Sequence, residues 1–211
     1  MIRIVTIERE YGCGGGAIAK ALAAKLGWAL WDHEITCEIA KRLRCSVASV
    51  EKREERPDTA FYRLVKAFMR GSYEDMYSGA PIEMLDAEHL AELFGKVVTD
   101  VAERGPCVIV GRGSPWFLRD RDDTLHTFLF GPYEEKIRRL KALGKDQAEI
   151  DDLLERVDRD RGTFIKKYYG RTWPQRDLYH LMLNTEIGDD GVIEMILHEM
   201  ELLNRRNGRR S

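Results

Sequence analysis

Residues 2–18 read IRIVTIEREYGCGGGAI and contain three consecutive structural signals. The β-branched run at 2–7 is typical of a buried parallel strand. A glycine-rich loop follows, and from residue 15 to about 26 apolar side chains recur on one face of a predicted helix. A strand, a glycine-rich loop and a helix in this order can hold an anion, because loop and helix N–H groups approach it without intervening side chains.

The loop departs from the regular phosphate-binding pattern GxxxxGK[ST]. When the two are aligned on their glycines, Gly15 stands at the lysine position and no Ser or Thr hydroxyl follows it. The context of strand, loop and helix still favours phosphate binding, and a tight turn without a ligand is the alternative. The residues predicted to bind the phosphates of a nucleotide are Arg9, Gly12, Cys13, Gly14, Gly15, Gly16 and Ala17.

The rest of the chain alternates in the same way between strand-like and helix-like segments. Further strands are predicted at 28–32, 106–111, 124–130 and 178–183. Helical periodicity is clearest at 90–101, 133–143 and 192–203. Strands that alternate with helices form right-handed crossovers, so we expect an α/β fold with a five-stranded, mostly parallel sheet covered on both faces.

Two segments lie outside this alternation. Residues from about 34 to 104 are charged and helix-like, without a convincing strand, and predict a helical insertion. Residues 145–175 are dense in charges of both signs and end in an aromatic patch. The length favours one domain over 1–211. Its core would comprise 1–33, 105–144 and 176–211.

The composition restricts the classes of function. The chain has 211 residues, 44% hydrophobic and 33% charged, which excludes a disordered chain and a membrane bundle. Its 34 basic and 36 acidic side chains give a net charge of −2, which argues against a surface that tracks nucleic acid. The charged start lacks the apolar run of a secretory signal, and the cysteines and histidines lack metal-ligand spacing. We expect a cytoplasmic protein without nucleic-acid or membrane partners or a dedicated metal site; its oligomeric state stays open.

The motifs taken together resemble the cytidylate kinase-like family. Matching segments run nearly end to end in that family's order, apart from residues 45–100. They are the strand and loop at 4–16, the helix at 18–27, Trp31-Asp32, the VGRG turn at 110–113, the strand and helix at 128–139, the lid motif DRDR at 158–161 and the last strand and helix at 179–197.

The resemblance implies a three-layer nucleoside monophosphate kinase fold of the P-loop NTPase class. ATP with Mg²⁺ would donate its γ-phosphoryl group to a nucleoside monophosphate, CMP or dCMP. The acceptor would bind at the insertion of about 34–104, under a lid at about 145–175. Two departures remove usual ligands: Gly16-Ala17 replaces an Arg-Glu pair, and Val110 replaces an aspartate beside Mg²⁺, which leaves Glu8 or Asp32 as substitutes.

Phosphoryl transfer needs guanidinium groups that converge on the phosphates. The motifs indicate Arg112, Arg159 and Arg161 as catalytic residues and Arg156 as a nucleotide-binding residue, and Arg112 is also predicted to bind the acceptor. Arg156 and Arg159 share a helical face that excludes Arg161, so we expect a bend that gathers all three. A solvated helix face is the alternative for this run.

Further assignments have structural alternatives. Asp32 is predicted to bind substrate at the end of the second strand, or else to cap the next helix. The aromatic residues Tyr168, Tyr169 and Trp173 either pack in the core or stack on a base. Two other functions remain open, a kinase of the same fold with another small acceptor and a non-catalytic nucleotide sensor. The reactivity of Cys13 is open as well.

Overall fold

The computed structural model describes residues 1–32, 34, 35, 38, 42 and 87–208. Most of the predicted insertion therefore lies outside the described residues. Those described form one five-stranded sheet with helices on both faces, which confirms the predicted α/β class.

The elements have bounds close to the predicted ones. The strands are β1 (Ile4–Arg9), β2 (Ala29–Trp31), β3 (Cys107–Val110), β4 (Thr124–Phe130) and β5 (Leu181–Asn184). The helices are α1 (Gly15–Leu26), α2 (Ala87–Glu103), α3 (Ser114–Phe117), α4 (Tyr133–Ala142), α5 (Gln147–Tyr169) and α6 (Asp189–Gly208). The last strand begins at Leu181 rather than at 178, because Arg176–Leu178 forms a 3₁₀ turn.

The strands lie in the order β2-β3-β1-β4-β5, and every neighbouring pair is parallel. Thr6, on the central strand, pairs with Ile109 on one side and with His126 on the other. In open parallel sheets, ligands bind beyond the carboxyl ends of the strands, where the strand order reverses. The loop after β1 and the turn after β3 both leave from this edge.

The core lies on both faces of the sheet. On one face the helices α1 and α6 cover β1 and β3, through the buried residues Ile18, Leu22, Val192, Ile196, Val5 and Val108. On the other face α2 and α5 cover the same strands, through Phe94, Val98, Phe164, Ile4 and Ile109. The strands are therefore apolar on both sides, as expected for a parallel sheet between helices.

A third apolar cluster joins the glycine loop to the two helices that follow β4. Its buried members are Tyr11, Leu140, Ile150, Leu153 and Val157. Because Tyr11 belongs to the loop and the others to α4 and α5, this packing fixes the loop against both helices. The loop is thus part of the packed structure and does not hang freely over the sheet.

Candidate functional site

The glycine loop opens onto the start of α1. Gly12 and Gly14 have positive φ angles of 76° and 84°, which side-chain-bearing residues rarely adopt. Gly14 is also the N-cap of α1 and has no side chain with which to cap the helix. The first N–H groups of a helix lack acceptors within it, so they attract an anion. A cavity of about 320 Å³ lies over this end and is lined by the loop glycines, Arg9, Arg139 and Arg161.

The helix α5 holds the loop through one carboxylate and one guanidinium. Both carboxylate oxygens of Asp158 accept the backbone N–H of Tyr11, each at 3.0 Å. Nη1 of Arg161 donates to the carbonyl oxygen of Arg9 at 3.2 Å and to Asp158 at 2.9 Å. Arg161 is buried, with 5% of its side chain exposed. The structure therefore brings Arg161 to the predicted phosphate loop.

The other two arginines of this run lie on the outer face of α5. Arg156 pairs with Asp152 at 2.8 Å, and Arg159 pairs with Glu155 at 3.3 Å. Their side chains are 38% and 61% exposed. The helix is continuous over Gln147–Tyr169, and it does not gather the three arginines, because Arg161 is buried while Arg156 and Arg159 are exposed. The pairing of each with an acid one turn earlier is typical of a solvated helix face.

Two cations on α4 reach the loop although the sequence did not indicate them as site residues. The guanidinium of Arg139 fills the space beside Gly14, where a Cβ would lie 2.8 Å from its Cζ. Arg139 is held by Asp189 at 2.7 Å and by Glu135 at 3.1 Å. Lys136 pairs with Glu10 of the loop at 2.6 Å. Their spacing of three residues on the helix after β4 was the available signal, because such residues share a helical face.

Arg9 lines the cavity and is buried, with 5% of the residue exposed. Burial and the neighbouring Arg161 lower the pKa of its guanidinium, while Asp32 and Glu8 act in the opposite direction. Its side-chain stem passes Gly15 and its guanidinium reaches Gly111 in the turn after β3. Arg9 therefore connects the glycine loop to that turn.

The turn after β3 has a backbone conformation that is rare outside glycine. Gly111, Arg112 and Gly113 have φ angles of 69°, 62° and 68°. Arg112 is fully buried, with 1% of the residue exposed. A residue with a Cβ held in this region is strained, and such strain is common at functional sites. The structure places Arg112 at the carboxyl edge of the sheet, next to the loop after β1.

Glu8, at the end of β1, is occupied by protein donors. Its Oε1 accepts the backbone N–H of Gly113 at 3.0 Å, and its Oε2 accepts the indole N–H of Trp173 at 3.1 Å. Asp32 is buried at the end of β2, and its backbone N–H donates to Glu34 at 3.2 Å. The described part of the chain holds no group of three His, Cys, Asp or Glu residues arranged for a metal ion. A magnesium ion held by one carboxylate and by phosphate oxygens needs no such group.

Cys13 is the loop residue whose reactivity the sequence left open. Its thiol is buried and points to the carbonyl oxygen of Leu129, with Sγ at 3.7 Å. Burial raises the pKa of this thiol to about 11. Since the thiolate is the reactive form, burial and the raised pKa of this thiol disfavour a nucleophilic role for Cys13.

The aromatic patch of Tyr168, Tyr169 and Trp173 lies partly in the core and partly along a small cavity beside Glu8. Tyr168 packs against Phe164, with ring centroids 4.8 Å apart. Tyr169 and Trp173 line a cavity of about 20 Å³, which is the size of a single water. Packing therefore accounts for these residues in the structure as it stands.

Comparisons with known proteins agree with this architecture. A model of the cytidylate kinase-like family matches residues 4–187. An uncharacterized protein from Eubacterium ventriosum is 23% identical, with a TM-score of 0.64, over 95% of this chain and 99% of that one. Shikimate kinase from Acinetobacter baumannii, in complex with shikimate, is 15% identical with a TM-score of 0.50, over 95% and 93%.

A tunicamycin resistance protein from Deinococcus radiodurans is 16% identical with a TM-score of 0.51, over 94% of this chain and 95% of that one. At these identities the solved structures share the fold, a P-loop kinase-like α/β architecture. No curated protein sequence matches the chain significantly. Across the described ranges, every helix is too short or too polar to cross a membrane.

Proposed function

The chain belongs to the cytidylate kinase-like family, and from that premise we propose that it transfers the γ-phosphoryl group of ATP to a nucleoside monophosphate, CMP or dCMP. The observation that carries this proposal is the cavity over the start of α1. Its lining combines the helix N-terminus with the guanidinium-bearing residues Arg9, Arg139 and Arg161. Helix N–H groups and guanidinium groups are the donors that polyphosphates prefer in proteins.

Phosphoryl transfer requires that the two substrates are held in position and that positive charge surrounds the migrating group. In phosphoryl transfer, negative charge spreads over the migrating group, and cations that surround it lower the barrier. Arg161 is suited to this part because its position is fixed by Asp158 and by the carbonyl oxygen of Arg9. In the structure Arg156 and Arg159 pair with Asp152 and Glu155. We therefore propose that these two arginines contact phosphate only when the lid closes over the nucleotide.

The proposed binding of the acceptor nucleotide depends on Arg112. Its buried guanidinium and strained backbone suit a residue that holds a phosphate in a fixed place. We propose that Arg112 binds the acceptor phosphate and that Asp32 binds substrate nearby. The preference for cytosine comes from the family alone, because the segment proposed to hold the base, about 34–104, lies mostly outside the described residues.

Magnesium would enter with ATP and would neutralise part of the phosphate charge. The residues present fit such an ion through a single carboxylate. We favour Asp32 as that ligand, because it is buried at the end of β2 beside Arg9, at the carboxyl edge of the sheet. Val110, at the position where the family has an aspartate, is buried in the core and offers no ligand.

We keep one domain over 1–211 in this proposal, with the lid at about 145–175. α5 is then the part of the lid that already contacts the loop. A second candidate function is nucleotide sensing without transfer, which is favoured by the missing lysine at Gly15 and by the outward Arg156 and Arg159.

An acceptor panel tests the proposal. The purified protein is incubated with ATP and Mg²⁺ and with CMP, dCMP, UMP, AMP, GMP or shikimate, and release of ADP is followed. We expect the fastest release with CMP or dCMP. Equal rates with every base would remove the cytidylate assignment, and activity with shikimate alone would favour another small acceptor. Binding of ATP with no turnover would favour the sensor.

A further inference from the structure

Compared with the regular phosphate-binding pattern, this chain has a cation and a glycine in exchanged positions at the two ends of the glycine loop. The pattern GxxxxGK, aligned on Gly14, requires glycine at position 9 and lysine at position 15. This chain has Arg9 and Gly15. The loop therefore keeps one cation and one glycine at these two positions, in the opposite order.

The two positions touch in the structure. A Cβ on Gly15 would lie 2.9 Å from both Cβ and Cγ of Arg9, closer than real Cβ atoms approach other carbons. Gly15 is not among the glycines with a positive φ, so the backbone does not require glycine there. Space requires it, because the stem of Arg9 crosses the place where a side chain of residue 15 would start.

The side chain of Arg9 lines the same cavity as the helix N-terminus, and its guanidinium extends to the turn after β3. Its Nη1 is against Gly111, where a Cβ would collide with it, and Arg9 lines the cavity together with Gly15 and Arg161. The carbonyl oxygen of Arg9 is bound by Arg161, which fixes the strand end from which the side chain leaves. The side chain of Arg9 thus passes the loop from the strand side, whereas a lysine at 15 would extend from the helix side.

We propose that Arg9 takes the place of the missing lysine and contacts the β- and γ-phosphates of the bound nucleotide. With ATP as the ligand, this inference rests on the proposed function. Binding of an inorganic polyphosphate depends only on the glycine loop and not on the kinase activity. During transfer the γ-phosphoryl group leaves the β-phosphate oxygen and bonds to an oxygen of the acceptor phosphate. Arg9 keeps its proton throughout and offsets the charge on the migrating group.

The exchange can be reversed by mutation. Four variants are compared with the wild type: Arg9→Gly, Gly15→Lys, the double variant Arg9→Gly/Gly15→Lys and, as a control, Arg121→Met. Arg121 is an arginine with two carboxylate partners, Asp123 and Glu103, and it precedes β4 at the opposite edge of the sheet. Calorimetric titration with tripolyphosphate measures affinity, and thermal unfolding measures stability.

We expect Arg9→Gly to bind tripolyphosphate about 10- to 100-fold more weakly, the loss typical of one charge-assisted hydrogen bond or more. Gly15→Lys should also bind more weakly, because its side chain collides with the stem of Arg9. The double variant should bind at least about tenfold more tightly than Arg9→Gly. Arg121→Met should leave the affinity unchanged. If Arg9→Gly does not fold, the double variant must still bind more tightly than Gly15→Lys.

Other outcomes overturn the role of Arg9. These are wild-type affinity in folded Arg9→Gly, a double variant no tighter than either single variant, or no binding of tripolyphosphate by the wild type. Recovery of stability without recovery of affinity would make Arg9 only a partner for Asp32 and Glu8. Turnover of CMP with ATP is measured in parallel. If the wild type binds tripolyphosphate through Arg9 but does not phosphorylate CMP, the proposed kinase function is wrong and the role of Arg9 stands. If Arg9→Gly phosphorylates CMP at the wild-type rate, the role of Arg9 is wrong and the proposed kinase function stands.

Discussion

Replacement of Arg161 by Met should impair both stability and turnover, because one guanidinium links α5 to the strand end that leads into the glycine loop. Arg161 donates to the carbonyl oxygen of Arg9 at 3.2 Å and to Asp158 at 2.9 Å, and it is buried. Removal of one partner of a buried ion pair costs about 3–5 kcal/mol. Asp158 keeps the N–H of Tyr11 and is 21% exposed, so we expect about 3 kcal/mol, the lower end of that range.

In a chain of this size, that loss lowers the melting temperature by roughly 6–12 °C. We expect kcat to fall at least about 100-fold, since a cation that contacts the migrating phosphoryl group contributes about 10³–10⁵ in comparable sites. Arg161→Lys should rescue little of this activity, because an ammonium group cannot reproduce the planar fork of a guanidinium.

Differential scanning calorimetry and a coupled assay for ADP measure the two effects. Arg159→Met is the control for stability, because its exposed pair with Glu155 should contribute less than about 1 kcal/mol. An Arg161→Met protein that melts within about 2 °C of the wild type would refute the structural role. Normal kcat in that variant would refute the role in transfer.

Three further predictions concern other parts of the molecule. Gly14→Val should abolish thermal stabilisation by ATP and Mg²⁺, because Gly14 has a φ of 84° and its Cβ would collide with Arg139; an unchanged shift in a folded variant would contradict phosphate binding by the loop. Arg112→Ala should raise the acceptor KM strongly and kcat less, if Arg112 holds the acceptor phosphate in both states; steady-state kinetics decide this. Burial and the neighbouring His180 lower the pKa of His126 to about 4, so stability should fall as the pH drops from 6.5 towards 4. Between pH 7 and pH 5 the free energy of unfolding, measured with urea, should decrease by about 2 kcal/mol less in His126→Gln than in the wild type. Equal decreases in the two proteins would refute the lowered pKa of His126.

Much of the fold follows from local sequence signals. The run at 2–7 predicts β1 because a strand between two helical layers must be apolar on both faces. The helix at 15–26 follows from a single apolar stripe that needs no knowledge of its neighbours. Strand ends were less certain, since Arg176–Leu178 forms a turn that depends on local hydrogen bonding.

The site was harder to predict, because its cations come from distant parts of the chain. The spacing of Lys136 and Arg139 predicts a shared helical face, but only the placement of α4 brings that face to Gly14. Within α5, spacing predicts that Arg161 lies apart from Arg156 and Arg159, but not which of the two sides faces the loop. Burial of Val157 and Phe164 on the inner side decides that orientation.

The central claim is that the loop holds ATP for transfer of its γ-phosphoryl group. Phosphorus NMR of the wild-type protein with ATP, Mg²⁺ and CMP observes that transfer directly. We predict that the γ-phosphate signal of ATP disappears while the signals of ADP and CDP grow together. Persistence of ATP and CMP at a protein concentration that binds ATP would contradict the claim.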